Sequence, residues 1–141
     1  MWSGTVPRET DVLITHTPPR HHLDLPAGMG CEFLLEECWR VRPAVHVFGH
    51  VHAGYGRENI FWDDEQRVYE KLCARQDGGI ISDLFAVGAW IGAVKVILYG
   101  VQGLLWSRVW GGDEGGCIMV NASLAYRSTG KLENPVQVVD I

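Results

Sequence analysis

The chain has 141 residues, 47% of them hydrophobic, enough apolar material for one domain with a real core, which argues against intrinsic disorder. Seventeen acidic against twelve basic side chains leave a net charge of −5. No basic stripe exists to neutralise phosphates, so a duplex nucleic-acid partner is not expected.

The first apolar run, Val12 to Thr15, is β-branched and closes on His16, and the Pro18-Pro19 pair then forces an extended turn. A helix is predicted from about Gly30 to Arg42. Cys31, Leu34, Leu35, Cys38 and Trp39 fall on one face of it, while Glu32, Glu36, Glu37 and Arg40 are expected to face water. Pro43 ends the helix. Ala44 to Phe48 reads as a second buried strand, followed by Gly49-His50-Val51-His52 and a loop finishing at Gly54-Tyr55-Gly56. Both apolar runs deliver imidazoles at a strand end, where metal sites are commonly built, and neutral imidazole is the usual nitrogen ligand of zinc, iron and manganese.

The middle, residues 57–116, differs in composition. Asp63 to Gln76 is charged and reads as a surface helix or loop, and Gly79 to Trp110 then turns almost wholly apolar, predicting a helix over about residues 80–110. Two further strands are expected at Cys117 to Asn121 and Val136 to Ile141, separated by a polar turn around Ser128 to Gly130. The four cysteines, Cys31, Cys38, Cys73 and Cys117, form no Cys-x-x-Cys pair. They read as core or incidental residues and fit a reducing compartment. Met1 to Gly4 lacks the basic-then-apolar pattern of a secretory leader, so an intracellular, cytoplasmic setting is expected.

Thr15-His16 after a strand, then the helix, then His46-Val47-Phe48-Gly49-His50-Val51-His52, then Val120-Asn121-Ala122-Ser123, resembles the C-terminal half of a calcineurin-like metallophosphoesterase of the fetal-brain-type branch. The resemblance covers roughly Pro7 to Gly56 and Cys117 to Ile141. It implies an α/β fold, a partial metallophosphoesterase-type sandwich with a mixed β-sheet flanked by helices. Residues 1–141 would then be the C-terminal portion of one domain, with residues 57–116 as an insertion. It also implies two divalent ions, manganese, iron or zinc, with His16 and His50 on one and His52 on the other. In such a centre the ions lie roughly 3.5 to 4 Å apart and clamp the attacking and leaving oxygens of a displacement at phosphorus. A phosphoester substrate and phosphodiesterase or phosphatase activity follow.

The family's acidic motifs, Asp-x-His, Gly-Asp-x-x-Asp and Gly-Asn-His-Asp/Glu, do not occur in this sequence, so no general-acid histidine is assigned. Histidines alone leave about four positive charges poorly compensated, where a bridging Asp would lower the repulsion. The chain is therefore expected to be a truncated form of such an enzyme, binding metal weakly and inactive alone. The alternative is a non-catalytic interaction module on the same fold. A third reading has His16, His50 and His52 holding one zinc, with water in the fourth position.

Of the other polar residues, Arg20 is a candidate for gripping a substrate phosphate, since a guanidinium matches phosphate oxygens bidentately. His46 is read as a hydrogen-bonded structural histidine, His21 and His22 as solvated loop residues, and Asn121 as a tie between backbone segments. Leu84 to Trp106 is long enough to cross a bilayer if helical, but Lys95 at its centre costs roughly 2.5 to 3.5 kcal/mol on insertion scales. Association with a membrane surface through residues 84–106 is the expectation there, with Trp90, Trp106 and Trp110 at headgroup depth.

Overall fold

The computed structural model describes residues 4–25, 28–74, 87–110, 115–125 and 130–140. By internal packing the chain divides into two units, Met1–Trp62 with Gly116–Ile141, and Asp63–Gly115.

The first unit is built on a four-stranded mixed sheet. Its strands are β1 (Val12–Ile14), β2 (Val45–Phe48), β3 (Gly56–Phe61) and β4 (Gly116–Asn121), in the spatial order β1-β2-β4-β3. β1, β2 and β4 run parallel, with Val12 opposite Val45 and Val45 opposite Ile118, and β3 closes the far edge antiparallel to β4. The parallel β1–β2 pair needs a crossover, which α1 (Glu32–Val41) supplies. Its register places Leu13, His46 and Met119 on one row under α1, where Leu34 and Cys38 join Leu13, Phe48, Ile60, Trp62, Cys117 and Met119 in the core. Val12 and Ile14 alternate to the opposite face of the edge strand, and Ile14 is 74% exposed.

The helix α1 stops where Pro43 requires: Arg42 takes a left-handed conformation with φ 57° and its N–H donates to the Cys38 carbonyl. One residue of its expected water face is instead buried. Glu37 is only 2% exposed, because the N-terminal segment folds over it. Its carboxylate accepts the Gly4 and Val6 N–H groups and pairs with Arg40, whose guanidinium also donates to the Val6 carbonyl. These donors satisfy the carboxylate that burial would otherwise penalise. The Arg40 hydrogen bond outweighs the desolvation and holds the Glu37 pKa down at about 2.

Strand β3 is absent from the sequence-based expectation. Residues 136–140 form no strand, contrary to expectation. Val136 and Val138 are exposed, and the segment is tied by side chains instead. The Gln137 amide donates to the Gly56 and Asn121 carbonyls, and the Asn134 amide to those of Ser123 and Ala125.

The second unit contains α2 (Asp64–Cys73) and α3 (Val87–Trp110). Asp63 caps α2 by accepting the Gln66 N–H at 2.8 Å. A Cβ added to Gly92 of α3 would lie 2.7 Å from a Leu72 methyl, so the two helices pack tightly at that point. The predicted start of the apolar helix near residue 80, and Leu84 at the head of the proposed membrane-facing segment, fall outside the described residues. No helix among the described residues is long and apolar enough to cross a membrane.

Candidate metal centre

Because β1 and β2 are parallel neighbours, the residues following them emerge side by side. Thr15 N–H donates to Val47 O at 3.0 Å and Gly49 N–H to His16 O at 3.1 Å, so the ladder runs on past the strand ends to the two histidines. There His50 adopts φ 66°, and Val51 N–H closes back on Gly49 O at 2.8 Å. This is a three-residue turn about a non-glycine residue of positive φ, a geometry that costs about 1 to 3 kcal/mol and persists only when its surroundings impose it.

The result is contact between the predicted ligands. His16 Nε2 lies 3.1 Å from His50 Nδ1, the ring centroids are 4.8 Å apart, and both residues are exposed. Two nitrogens bound at about 2.0 to 2.1 Å to one zinc ion are themselves roughly 2.9 to 3.4 Å apart. The observed separation fits two neighbouring positions on one such ion. His52 opens the 3₁₀ turn His52–Gly54 and is exposed. No group of three or more His, Cys, Asp or Glu side chains able to hold a metal ion forms among the described residues, so the three-histidine zinc arrangement is not made. A dinuclear centre with its carboxylates is likewise not fitted by these residues.

The loops are pinned from below. A Cβ on Gly54 would sit 1.9 Å from the Leu23 carbonyl oxygen, so the loop after β2 presses its backbone onto the loop after β1, and only glycine permits it. Asn121, fully buried at the end of β4, donates its amide to Leu23 O at 3.2 Å and Val51 O at 2.8 Å, and accepts from Ser123 N–H. It ties these segments together, the role read for it from the sequence. The buried Ser123 hydroxyl has no hydrogen-bond partner and stands 3.4 Å from where a Gly49 Cβ would be. Arg20, the candidate phosphate contact, is half-buried in the loop after β1, with its N–H on Cys31 O at 3.2 Å.

The same loop corrects one expectation. His22 is not solvated but fully buried, with Nδ1 2.6 Å from the Glu58 carboxylate of β3. Asp24 is also buried and accepts the His21 and Gly30 N–H groups. The His22 pairing escapes sequence reading because Glu58 lies on a strand that polar residues disguise. His46 is structural, as expected: its Nε2 is 2.9 Å from Thr15 Oγ1 and its Nδ1 3.5 Å from Cys38 Sγ. Burial, then the proximity of His22, pushes its pKa down to about 4, so the ring is neutral. Burial likewise pushes the Cys117 thiol up to about 12. No disulfide joins any two of Cys31, Cys38, Cys73 and Cys117.

Several curated proteins are similar to part of the chain. A UPF0046 protein of Caenorhabditis elegans is 53% identical over 55 residues, 36% of this chain and 14% of that protein. Metallophosphoesterase domain-containing protein 1 of Homo sapiens is 50% identical over 56 residues, again 36% of this chain and 17% of that protein. A probable rhamnogalacturonate lyase C of Emericella nidulans is 49% identical over 69 residues, 48% of this chain but only 6% of that protein. The chain therefore spans well under a fifth of the length of each of these relatives. No protein-family model matches the chain, and no solved structure is significantly similar to it.

Proposed function

We propose, on the premise that about a third of this chain is metallophosphoesterase sequence at 50% identity, that it carries the imidazole share of a metal-dependent phosphoric ester hydrolase site. What supports the reading above all is the His16–His50 contact of 3.1 Å at the ends of two parallel strands. In this proposal the four-stranded sheet is part of a metallophosphoesterase-type sandwich. His16 and His50 share one divalent ion, His52 serves a second, and Arg20 contacts a substrate phosphate. Manganese, iron or zinc would supply Lewis acidity and a bound hydroxide. This chain's own residues place neutral nitrogen donors, fix their backbone and orient them, and the acidic motifs that complete the centre are not in its sequence. Alone, the chain is inactive. The lyase name is not carried over, since the match covers 6% of that protein. Four cysteines with no disulfide between them favour a reducing, intracellular setting.

The test is phosphodiesterase and phosphatase assay with manganese, on bis(p-nitrophenyl) phosphate and p-nitrophenyl phosphate. The chain is assayed beside a version preceded by a segment carrying the Asp-x-His, Gly-Asp-x-x-Asp and Gly-Asn-His-Glu motifs. Turnover is expected only in the longer protein, and His50→Ala there should lower kcat/KM at least 100-fold, about 2.7 kcal/mol. A longer protein that folds and binds metal but never turns over favours the second reading, a non-catalytic interaction module, which the lack of any three-donor group among the described residues supports.

A membrane-surface role for α3 is a separate part of the proposal, supported by the exposure of Trp90, Tyr99 and Lys95 on that helix. Retention in the soluble fraction on liposome flotation overturns it.

A further inference from the structure

Beneath the His16–His50 pair runs a hydrogen-bonded chain whose direction is fixed by what each atom is able to do. Thr15 Oγ1 lies 2.8 Å from the Thr17 carbonyl oxygen, which only accepts, so the single hydroxyl proton of Thr15 goes there. The same Oγ1 lies 2.9 Å from His46 Nε2, and with its proton already committed it must accept. His46 is therefore the Nε2–H tautomer. Its Nδ1, 3.5 Å from Cys38 Sγ, is left as the acceptor of the thiol proton. The sequence of donors runs from α1, through the buried ring on β2, to the hydroxyl at the end of β1, and finally across His16 to the carbonyl of Thr17. His16 is the residue enclosed by the Thr15-to-Thr17 bond.

We propose that His46 is a positioning residue for the candidate centre. It fixes the Thr15 hydroxyl, and with it the turn that holds the His16 ring against His50. This deepens the reading of His16 and His50 as ligands of one ion and rests on it for its functional consequence, while the positioning itself is measurable without metal. A histidine that only filled core volume would be replaceable by any ring of similar size. One that acts through its Nε2–H is replaceable by glutamine, whose amide N–H reaches a similar position, and not by phenylalanine.

The experiment uses the full chain, labelled with 15N. In the unaltered protein at neutral pH, long-range correlation spectra should show the His46 ring neutral and protonated at Nε2. A ring protonated at Nδ1, or at both nitrogens, overturns the proposal whatever the variants do. Nuclear Overhauser contacts between the His16 and His50 rings are then followed in variants, together with the affinity for zinc. Thr15→Val and His46→Phe should lose the inter-ring contacts and weaken zinc binding at least tenfold, as the loss of an orienting partner does elsewhere. Thr15→Ser and His46→Gln should keep the contacts and stay within about threefold of the parent affinity. Unchanged contacts in Thr15→Val and His46→Phe overturn the proposal. Contacts that respond as expected in a protein with no measurable zinc affinity leave the positioning role standing and sink the metal reading instead. If His46→Phe fails to fold, the near-isosteric Thr15→Val and the tautomer of the unaltered protein decide the matter.

Discussion

Glu37 is an acidic side chain placed where water cannot reach it, and it is stable there only because Arg40 and two backbone N–H groups surround the carboxylate. Glu37→Gln keeps the shape and removes the charge. It should destabilise the protein by about 1.5 to 3 kcal/mol at pH 7 in urea unfolding, the range for hydrogen bonds to a charged group. The sign of the pH dependence follows from the depressed pKa. Its folded value of about 2 lies below the ordinary 4.5, so the native carboxylate releases its proton more readily than the unfolded one. The stabilisation is whole above pH 4.5 and is lost as the pH falls towards 2, and the variant should lack that part of the acid dependence. Nothing in the local sequence signals this burial. Glu36 and Glu37 read alike in the helix, and the N-terminal segment that covers only the second of them has no periodic pattern of its own.

At the scale of elements, glycines divide sharply by what surrounds them. Gly54 faces a carbonyl oxygen at a distance no Cβ tolerates, whereas a Cβ on Gly100 of α3 meets nothing within 4 Å. Gly54→Ala should destabilise by about 1 to 3 kcal/mol as the two loops are forced apart. Gly100→Ala should be neutral or stabilise by up to about 1 kcal/mol, because alanine loses less freedom in a helix. Thermal melts of the two variants check both.

The same scale shows why parts of the fold are readable in the sequence. β2 and β4 are found within a residue or two because buried parallel strands are written as unbroken apolar runs, and β1 because its run is apolar too, although Val12 and Ile14 are exposed at the sheet edge. α1 is found through its apolar spacing and Pro43. β3 is missed because Gly56-Arg57-Glu58-Asn59-Ile60-Phe61 is an edge strand with mostly polar residues, and its identity depends on β4, more than fifty residues away in the sequence. Residues 136–140 err the other way, their valines imitating a strand that no partner completes. Of the candidate site, the two histidines that meet were legible from the strand-end rule. The supports were not: Thr15, Gly54 and the His22–Glu58 pair matter through neighbours distant in the chain.

For the whole molecule, the antiparallel pairing of β3 with β4 sets Phe61 opposite Gly116, so the chain leaves and re-enters the sheet across a single rung. Residues 63–115 therefore form an excursion from a hairpin. Replacing them with a short Asn-Gly turn should leave the first unit folded, because the two strand ends are already at hairpin distance. The amide spectrum of the shortened protein should retain the dispersed strand resonances of residues 12–14, 45–48 and 117–121, and their collapse would refute the independence of the first unit.

The strand order β1-β2-β4-β3 has a consequence for how the chain is made. Of the four strands, β4 comes last in chain order, yet it lies between β2 and β3 in the sheet. Until Gly116–Asn121 has been made, β3 has no partner among these strands and β2 has only β1. The strand that joins β2 to β3 is made after the apolar helix of residues 87–110. Pairing between strands so distant in the chain slows folding and lengthens the time for which apolar surface is exposed to aggregation.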